Sequence, residues 1–285
     1  MTQPAPPIDP LPITVIVPTR NEESNLDACL SRLEAFAEVW VVDSRSTDGT
    51  RAIADRHKAR WIDFDWSGEY PKKRNWVLIN HQPATPWVLF LDADERVTDE
   101  FVAAARERLS RADASIAGFW LRYDNHFMGR VLRHCIPQRK LALFRVGAGF
   151  YERIDDRRWS NLDMEVHEHP VLEGKVGEIP APITHLDYRG IEHYIARHDA
   201  YASWEAKRYA DLQARGDAAW GALTPRQRTK YRNLARWWFA PAYFIGTYVV
   251  RLGFLDGPAG FHHAVLKMIY FYQIRLKIIS DGKGT

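Results

Sequence analysis

The first half of the chain alternates short apolar runs with segments in which apolar residues recur at helical spacing. The short runs predict strands, and the run at 87–91 is too short for a confident helix and too apolar for a half-solvated strand, so it predicts a strand buried on both faces. The runs are ITVIV (13–17), VWVVD (39–43), RWIDF (60–64) and WVLFL (87–91). Leu26, Leu30, Leu33 and Phe36 mark the first intervening helix. This alternation predicts right-handed βαβ crossovers and a mainly parallel sheet.

The pattern changes after this series. A helix from Asp99 to about Arg111 is followed by strands in ASIAGFWLRYDNHFMG (114–129) and RKLALFRV (139–146). HPVLEGKVGEIPAPITH (169–185) predicts a hairpin, and residues 190–215 predict a long helix. The uncharged run WWFAPAYFIGTYVV (237–250) is interrupted by Pro241 and Gly246. It is shorter than the stretch of about 20 apolar residues that a membrane span needs.

Composition excludes several classes of protein. With 46% hydrophobic and 26% charged residues over 285 positions, the chain has the composition of a folded globular protein. Cys29 and Cys135 show no CxxC spacing, which argues against a disulfide framework and a structural zinc site. The opening MTQPAPPIDPLP has neither a basic start nor an apolar core, so we expect a mobile Pro-rich lead rather than a signal peptide.

Charge is distributed unevenly along the chain. Residues 221–285 contain ten Lys or Arg and two Asp, a balance of +8, which leaves −5 for the first 220 residues. We therefore expect a flexible lead over 1–11, an α/β domain over 12–220 and a basic, aromatic helical extension over 221–285. The segment FHHAVLKMIYFYQIRLKIIS (261–280) is typical of a helix at an anionic membrane surface. A helical pair packed on the α/β domain is the alternative. No nucleic-acid partner is expected, because no reading motif accompanies the basic residues.

Each predicted strand of the first half ends in a polar loop. Ligands of open α/β sheets bind beyond the carboxyl ends of the strands. Asp92 and Asp94 follow the fourth strand and offer oxygen ligands for Mg²⁺ or Mn²⁺ bridging a diphosphate, although such residues also form turns and helix caps. Asp43 ends the second strand, where it either accepts hydrogen bonds from a nucleobase or ribose or acts as a cap. No G-x-G-x-x-G or Walker loop follows a strand, which argues against nicotinamide enzymes and P-loop NTPases.

Two further segments carry candidate chemistry. YPKKRNW (70–76) contains Lys72, Lys73 and Arg74, which either form a solvated helix face or meet phosphate and base oxygens. MEVHEHP (164–170) contains Glu165 and Glu168, either of which suits a general base.

The motifs ITVIVPTRNEE, VWVVDSRSTDGT, KKRNWVL and WVLFLDADE, in this order and spacing, resemble family 2 glycosyltransferases of the GT-A fold. VHE followed by IPAPITH resembles the subgroup that includes the lipopolysaccharide-core β-glycosyltransferases. The resemblance covers about residues 12–210. It implies an inverting, metal-dependent transfer from a nucleotide sugar. A single displacement of this kind needs one base for the acceptor hydroxyl and one cation for the leaving diphosphate.

The resemblance also implies roles for individual residues. Those expected to bind the nucleotide are Pro18, Thr19, Arg20, Glu22, Asp43, Arg74, Asn75 and Asp92. Asp94 is the expected metal ligand, with Asp92 near the ribose or metal, and His185 is either a later metal ligand or a buried structural histidine. The family's x-Glu-Asp base segment is absent. VHE occupies the corresponding stretch, so the base is assigned to Glu168, with Glu165 left open.

The expected fold class is therefore α/β of GT-A type, Rossmann-like with a mainly parallel sheet and a C-terminal helical membrane-surface extension. The expected function is transfer from a nucleotide sugar, UDP-linked, to a lipid-linked or lipopolysaccharide-type glycan, with Mn²⁺ or Mg²⁺ as cofactor. The expected location is peripheral, at the cytoplasmic face of a bacterial inner membrane. The alternatives are a polyprenyl-phosphate sugar synthase and a non-catalytic nucleotide-sugar-binding protein.

Overall fold

The computed structural model describes residues 9–156, 159–160, 163, 169–186 and 189–281. The chain divides into two compact units. The first comprises Met1–Asp124, Gln138–Asp155 and Asn161–Leu186, and the second comprises Asn125–Pro137, Asp156–Ser160 and Asp187–Thr285.

The four predicted strands of the first half form the parallel part of a large sheet. They are β1 (Leu11–Thr19), β2 (Phe36–Asp43), β3 (Arg60–Asp63) and β4 (Trp87–Phe90), in the spatial order β3-β2-β1-β4. The helices between them are α1 (Glu23–Leu30), α2 (Thr50–Arg56) and α3 (Lys73–Asn80). All four residues of β4 are buried, as its apolar run predicted. The predicted βαβ series is confirmed.

The sheet continues on the other side of β4 with antiparallel pairing. The further elements of the first half and middle of the chain are β5 (Glu95–Arg96), α4 (Asp99–Ser110), β6 (Ile116–Phe127), β7 (Arg130–Val131), β8 (Gln138–Arg145), β9 (Gly149–Tyr151), β10 (Pro170–Leu172) and β11 (Lys175–His185). The order is β4-β8-β6-β11-β5, with β7 paired to β6. β8 runs antiparallel to β4 and β6, and β11 runs antiparallel to β5. The sheet is therefore mixed.

The hairpin predicted over residues 169–185 is wrong. β10 pairs with β9 in a separate two-stranded sheet, whereas β11 joins the large sheet. Ile179 and Ile183 of β11 are fully buried in the main core, which a solvent-facing hairpin would not achieve. A local pattern identifies a strand, but it does not identify which distant strand is its partner.

Both faces of the sheet are covered, as the alternation of side chains along a strand requires. Val15 and Val17 of β1 belong to one buried cluster, together with residues of α1, α2 and α4. Ile16, between them, belongs to the other cluster, which contains Val77 of α3. Helix α4 starts at Thr98, whose side chain accepts a hydrogen bond from the Phe101 N–H and caps the helix.

The second unit is helical. Its elements after residue 190 are α5 (Ile191–Gly221), α6 (Pro225–Leu234), α7 (Phe239–Phe244), a π-helical turn (Ile245–Val250), a 3₁₀ turn (Gly253–Asp256) and α8 (Gly257–Asp281). Ala202, Ala206 and Leu212 of α5 share a buried cluster with Tyr270 and Ile274 of α8. This packing groups α5 with the C-terminal helices in one compact unit.

Within the described part of the chain, no helix combines the length and the apolar character that a membrane crossing requires.

Candidate active site

The loop after β4 holds a network of buried charges around one lysine. Lys140, on β8, places its Nζ 2.6 Å from Asp92 Oδ2 and 2.5 Å from Glu95 Oε1. Arg74 Nη2 donates to the other oxygen of Asp92 at 2.9 Å, and the Asp92 N–H donates to Glu95 Oε2 at 3.1 Å. The Glu95 side chain is completely buried. Two cations and two carboxylates thus fix the shape of this loop.

The pKa values in the network follow from burial and from the neighbouring charges. Burial favours the neutral form of Asp92, but Lys140 and Arg74 outweigh burial and hold its pKa well below the usual range. Burial raises the pKa of Glu95 to about 7, although Lys140 acts in the opposite direction. Burial favours a neutral Lys140, but Asp92 and Glu95 raise its pKa well above the ordinary lysine value. Asp92 and Lys140 are therefore a charged pair at neutral pH.

Asp94 lies next to this network and faces His185 at the end of β11. Asp94 Oδ1 is 3.6 Å from His185 Nε2, which is beyond hydrogen-bond range, and both side chains are nearly buried. The register of β11 against β5 pairs His185 with Glu95, and the Leu186 N–H donates to the Asp94 carbonyl oxygen at 2.9 Å. The end of β11 is therefore tied to the loop that carries the carboxylates.

Oδ1 of Asp94 is buried and has no hydrogen-bond partner among the described residues. Leaving a buried carboxylate oxygen without a donor is costly, so such an atom marks a position where a ligand is expected. Burial opposes ionisation of Asp94, but His185 lowers its pKa below the usual value. Asp94 in turn raises the pKa of His185, although burial acts against this. The pair is an acceptor oxygen and an imidazole with complementary charge.

With His185 neutral, as metal binding requires, Asp94 and His185 offer a carboxylate oxygen and an imidazole nitrogen to a divalent cation. Among the residues described by the structure, no group of three or more His, Cys, Asp or Glu side chains is arranged to hold a metal. Mg²⁺ and related cations, however, commonly take one or two protein ligands and complete their shell with water and substrate phosphates. Asp92 is the less suited of the two aspartates, because both of its oxygens already accept from Lys140 and Arg74.

The loops after β1 and β2 are joined to each other through side chains. Asp43 is buried, and its oxygens accept from Thr19 Oγ1 at 2.9 Å and from the Ser46 N–H at 2.7 Å. The Asn21 N–H donates to Ser46 Oγ at 2.7 Å, and the Thr47 N–H donates to Asn21 Oδ1 at 2.9 Å. Asp43 therefore makes hydrogen bonds of the kind that an aspartate in a turn makes, as the cap alternative predicted.

The remaining residues expected in the first loop differ in exposure. Pro18 and Thr19 are buried at the end of β1, Arg20 is exposed, and Glu22 is partly buried. The Glu22 N–H donates to Thr50 Oγ1 at 2.9 Å. Of these four residues, Arg20 presents the most surface to a ligand.

Helix α3 buries its basic and amide side chains, so the solvated-face interpretation of KKRN is wrong. Lys73 Nζ donates to the Thr19 carbonyl oxygen at 2.8 Å, and burial lowers the pKa of Lys73. Asn75 is fully buried and exchanges two hydrogen bonds with the backbone of Tyr151, at 2.8 and 3.0 Å. The Arg74 guanidinium lies over the Tyr151 ring, 5.2 Å from its centroid, while it binds Asp92. Nucleotide contact by Asn75 stays a prediction, since its amide is occupied by Tyr151.

Residues 14–167 match the family described as Glycosyl transferase family 2. The chain belongs to glycosyl transferase family 2. It is similar to the lipopolysaccharide core biosynthesis glycosyltransferase LpsC of Rhizobium meliloti (strain 1021), with 26% identity over 279 residues, 95% of this chain and 93% of that protein. An uncharacterized glycosyltransferase of Rickettsia felis is 24% identical over 249 residues, 84% of this chain and 81% of that protein.

Among solved structures, the mannosyltransferase PcManGT of Pyrobaculum calidifontis, in complex with GDP-Man and Mn²⁺, has a similar fold. It is 17% identical, and the match covers 98% of this chain and 90% of that chain with a TM-score of 0.50. The expected α/β fold of GT-A type, Rossmann-like and followed by C-terminal helices, is confirmed.

The structure brings together four of the residues predicted for a family 2 site. The loop after β4 carries Asp92 and Asp94. Arg74 contacts Asp92, and His185 faces Asp94. Sequence reasoning did not include Lys140 among the site residues. Its signal was weak: a lysine directly before four apolar residues of a strand, all of which are buried.

The base expected for family 2, Glu168 or Glu165, lies outside the described residues. The residues on either side of that segment are described. Asp163 contacts Lys73, with its Oδ2 3.6 Å from Nζ, and also accepts from Ser44 Oγ. The His169 carbonyl oxygen accepts from the Glu152 N–H at 3.0 Å. The role of both glutamates stays a prediction.

Proposed function

We propose that this family 2 enzyme transfers a sugar from a UDP-linked donor to a lipid-linked or lipopolysaccharide-type glycan, with inversion at the anomeric carbon and with a divalent cation. We further propose that it acts as a peripheral protein at the cytoplasmic face of a bacterial inner membrane. The similarity to LpsC along nearly the whole of both chains supports the acceptor class. The observation that carries the proposal is the buried Oδ1 of Asp94, which has no hydrogen-bond donor and lies 3.6 Å from His185 Nε2.

On the donor side, Asp94 and His185 would hold Mn²⁺ or Mg²⁺, and the bound cation would neutralise charge on the leaving diphosphate. The remaining charges of the loop keep this pair in place. Lys140 and Arg74 form ion pairs with Asp92, and Lys140 also forms one with Glu95. Glu95 lies opposite His185 in the backbone register of β5 and β11. A site whose groups are fixed before the ligand arrives stabilises developing charge without rearranging.

The nucleotide is proposed to lie along the carboxyl ends of β1, β2 and β4, where the predicted nucleotide-binding residues occur. Arg20 is the exposed cation of this group. Thr19 and Asn75 are buried and bonded to Asp43 and Tyr151, so they act by shaping the loops. Asp43 Oδ2 accepts from the Ser46 N–H and retains capacity for one more donor, such as a base imide.

On the acceptor side, Glu168 is proposed to remove the proton from the attacking hydroxyl, with Glu165 as the alternative base. Support comes from the two ends of this segment. Asp163 contacts Lys73 of α3 and Ser44 after β2, and His169 pairs with Glu152 after β9. Five residues, Glu165 and Glu168 among them, separate these two anchors along the sequence.

The test separates binding from turnover. Asp94→Asn should abolish Mn²⁺-dependent binding of UDP, measured by calorimetry with and without chelator, because it replaces the anionic ligand oxygen with a weak one. Glu168→Gln should bind UDP normally and lose about 10²–10⁴ in transfer rate. Glu165→Gln is the matched control and should lose much less.

Three outcomes would contradict the proposal. Unchanged metal-dependent binding in Asp94→Asn would remove the metal assignment. A full rate in Glu168→Gln with a reduced rate in Glu165→Gln would move the base to Glu165. Full rates in both, with a polyprenyl phosphate accepted as substrate, would favour a polyprenyl-phosphate sugar synthase, whose acceptor needs little base catalysis.

A further inference from the structure

The second unit exposes a group of large apolar side chains between α7 and the start of α8. We call this group the apolar patch; its members are Ile245, Val249, Val250, Phe254, Leu255 and Phe261. Val250 is 73% exposed, and Trp237, which lies just before α7, is 72% exposed. Contiguous apolar patches on soluble proteins are usually interaction sites, whereas single exposed apolar residues are ordinary.

Aromatic contacts connect two members of the apolar patch, Phe254 and Phe261, through Tyr248. The Tyr248 ring centroid lies 6.2 Å from that of Phe254 and 5.5 Å from that of Phe261. Tyr248 also stacks on Phe244 at 5.3 Å. The π-helical turn, the 3₁₀ turn and the first turn of α8 therefore present one surface.

Two glycines show that this surface is closely packed underneath. A Cβ on Gly253 would lie 2.7 Å from the Thr247 carbonyl oxygen, and a Cβ on Gly260 would lie 2.1 Å from the Gly253 carbonyl oxygen. The three turns thus approach each other at distances that only glycine permits. Between them, Leu252 adopts a left-handed conformation with φ of 61° and remains 45% exposed. A strained backbone at an exposed leucine is more often kept for a function than by chance.

The charge around the apolar patch has one sign. Within residues 222–280 there are nine Lys or Arg, and Asp256 is the single acidic residue. Asp256 is buried, and its carboxylate accepts from the N–H groups of Arg133 at 3.1 Å and His134 at 2.9 Å. Arg236 and Arg251, in contrast, are exposed, and they flank the uncharged run 237–250 in the sequence. A second copy of the chain would bring the same positive charges together, whereas an anionic surface would neutralise them.

We propose that the apolar patch, with Arg236 and Arg251, docks on the surface of an anionic lipid bilayer. Apolar and aromatic side chains enter the boundary between headgroups and acyl chains, and arginines bind lipid phosphates. The reason for such a contact rests on the proposed function, because docking would bring the enzyme to a lipid-linked acceptor. Binding itself requires neither donor nor acceptor.

Vesicle flotation of the full chain without substrates tests this inference. The parent should float with phosphatidylcholine vesicles that contain phosphatidylglycerol and should bind pure phosphatidylcholine vesicles far less. Val250→Asp and Leu255→Asp should each lower the partition coefficient at least tenfold, because each would place a charge in the apolar boundary. Val171→Asp, at a 62% exposed position of β10, is the control and should bind like the parent.

The contribution of charge is tested separately. Arg251→Gln and Arg236→Gln should each weaken binding to the anionic vesicles about fivefold, and salt should reduce the difference. Flotation that is equal in Val250→Asp and the parent, or no flotation of the parent, would overturn the inference. A dimer seen by light scattering and lost in Val250→Asp would assign the patch to a second copy instead. Transfer to a soluble acceptor analogue, measured on the same samples, shows whether the enzyme's proposed function survives when flotation fails.

Discussion

The two compact units differ in how they arrange buried charge. In the first unit, Asp92, Glu95, Lys140 and Arg74 form one connected network, and Asp94 beside it keeps a buried oxygen without a partner. In the second unit, buried charges occur in separate places. Glu205 of α5 pairs with Lys230 of α6, and Asp256 binds the Arg133 and His134 backbone near α8.

This difference separates a site from a scaffold. A separate buried ion pair, such as Glu205 with Lys230, joins two helices and does not call for a ligand. Asp94 lies beside a connected network, and its buried Oδ1 has no hydrogen-bond donor. Such an atom carries a desolvation cost, which is expected where a charged ligand completes the site. The second unit instead exposes apolar surface, which is expected where the partner is itself apolar. Breaking each kind of arrangement should therefore give a different result.

The largest effect is expected for Lys140→Met. The substitution removes the cation that contacts both Asp92 and the fully buried Glu95. Breaking a buried pair from one side costs up to about 3–5 kcal/mol of unfolding free energy. Metal-dependent UDP binding should weaken as well, because the loop that carries Asp94 loses its central contact. Urea unfolding and calorimetry measure the two effects.

The comparison variant is Lys230→Met, which removes the partner of the fully buried Glu205 in the second unit. It should lower stability by a similar amount and leave UDP affinity unchanged. If Lys230→Met weakens UDP binding as much as Lys140→Met, the network after β4 has no special relation to the site. A double variant, Lys140→Met with Glu95→Gln, removes both the cation and the charge of Glu95. If it regains stability but not metal binding, the contact of Lys140 with Asp92 is the one that positions the loop.

A smaller effect is expected from acidic pH, and it should fall on the second unit. Burial and the nearby Lys267 lower the pKa of His198 and of His263 to about 3. Both histidines are thus neutral in the folded chain, and His198 Nε2 lies 3.0 Å from Lys267 Nζ. Between pH 6.5 and pH 3 the unfolded chain binds more protons, so stability is present above pH 6.5 and falls as the pH drops.

From pH 7.5 to 5.5 each of these histidines should cost about 1.4 kcal/mol. The pH dependence of urea unfolding measures the loss, and His198→Gln should make the curve less steep. His262→Gln, at an exposed position of α8, should leave the slope unchanged. An unchanged slope in His198→Gln would show that the acid-sensitive groups lie elsewhere, for example in the network of the first unit.

The sequence predicted the fold where the structure depends on local pattern and failed where it depends on distant partners. The run at 87–91 contains only apolar residues, which is typical of a strand covered on both faces, and β4 is indeed a fully buried strand between β1 and β8. By contrast, β11 pairs with β5, and Lys140 reaches Asp92 from 48 positions away along the chain. Asp94 and His185 were found from motif order, whereas Lys140 lies in no motif and was missed.

The smallest effect is expected for Asp43→Asn, which tests whether the loops after β1 and β2 form a site or only a scaffold. Asp43 accepts from Thr19 and Ser46, so loss of its charge should reduce stability by about 1–2 kcal/mol. If Asp43 also reads the base, UMP and UDP should weaken by the same factor, because the lost hydrogen bond does not involve the β-phosphate. Ser46→Ala removes the hydroxyl that donates to Asp43 Oδ1 and accepts from the Asn21 N–H, and it should reduce stability alone. Calorimetry with UMP decides between the two roles: an unchanged affinity in Asp43→Asn, together with reduced stability, would assign Asp43 to the scaffold and leave base recognition to the exposed groups of the first loop.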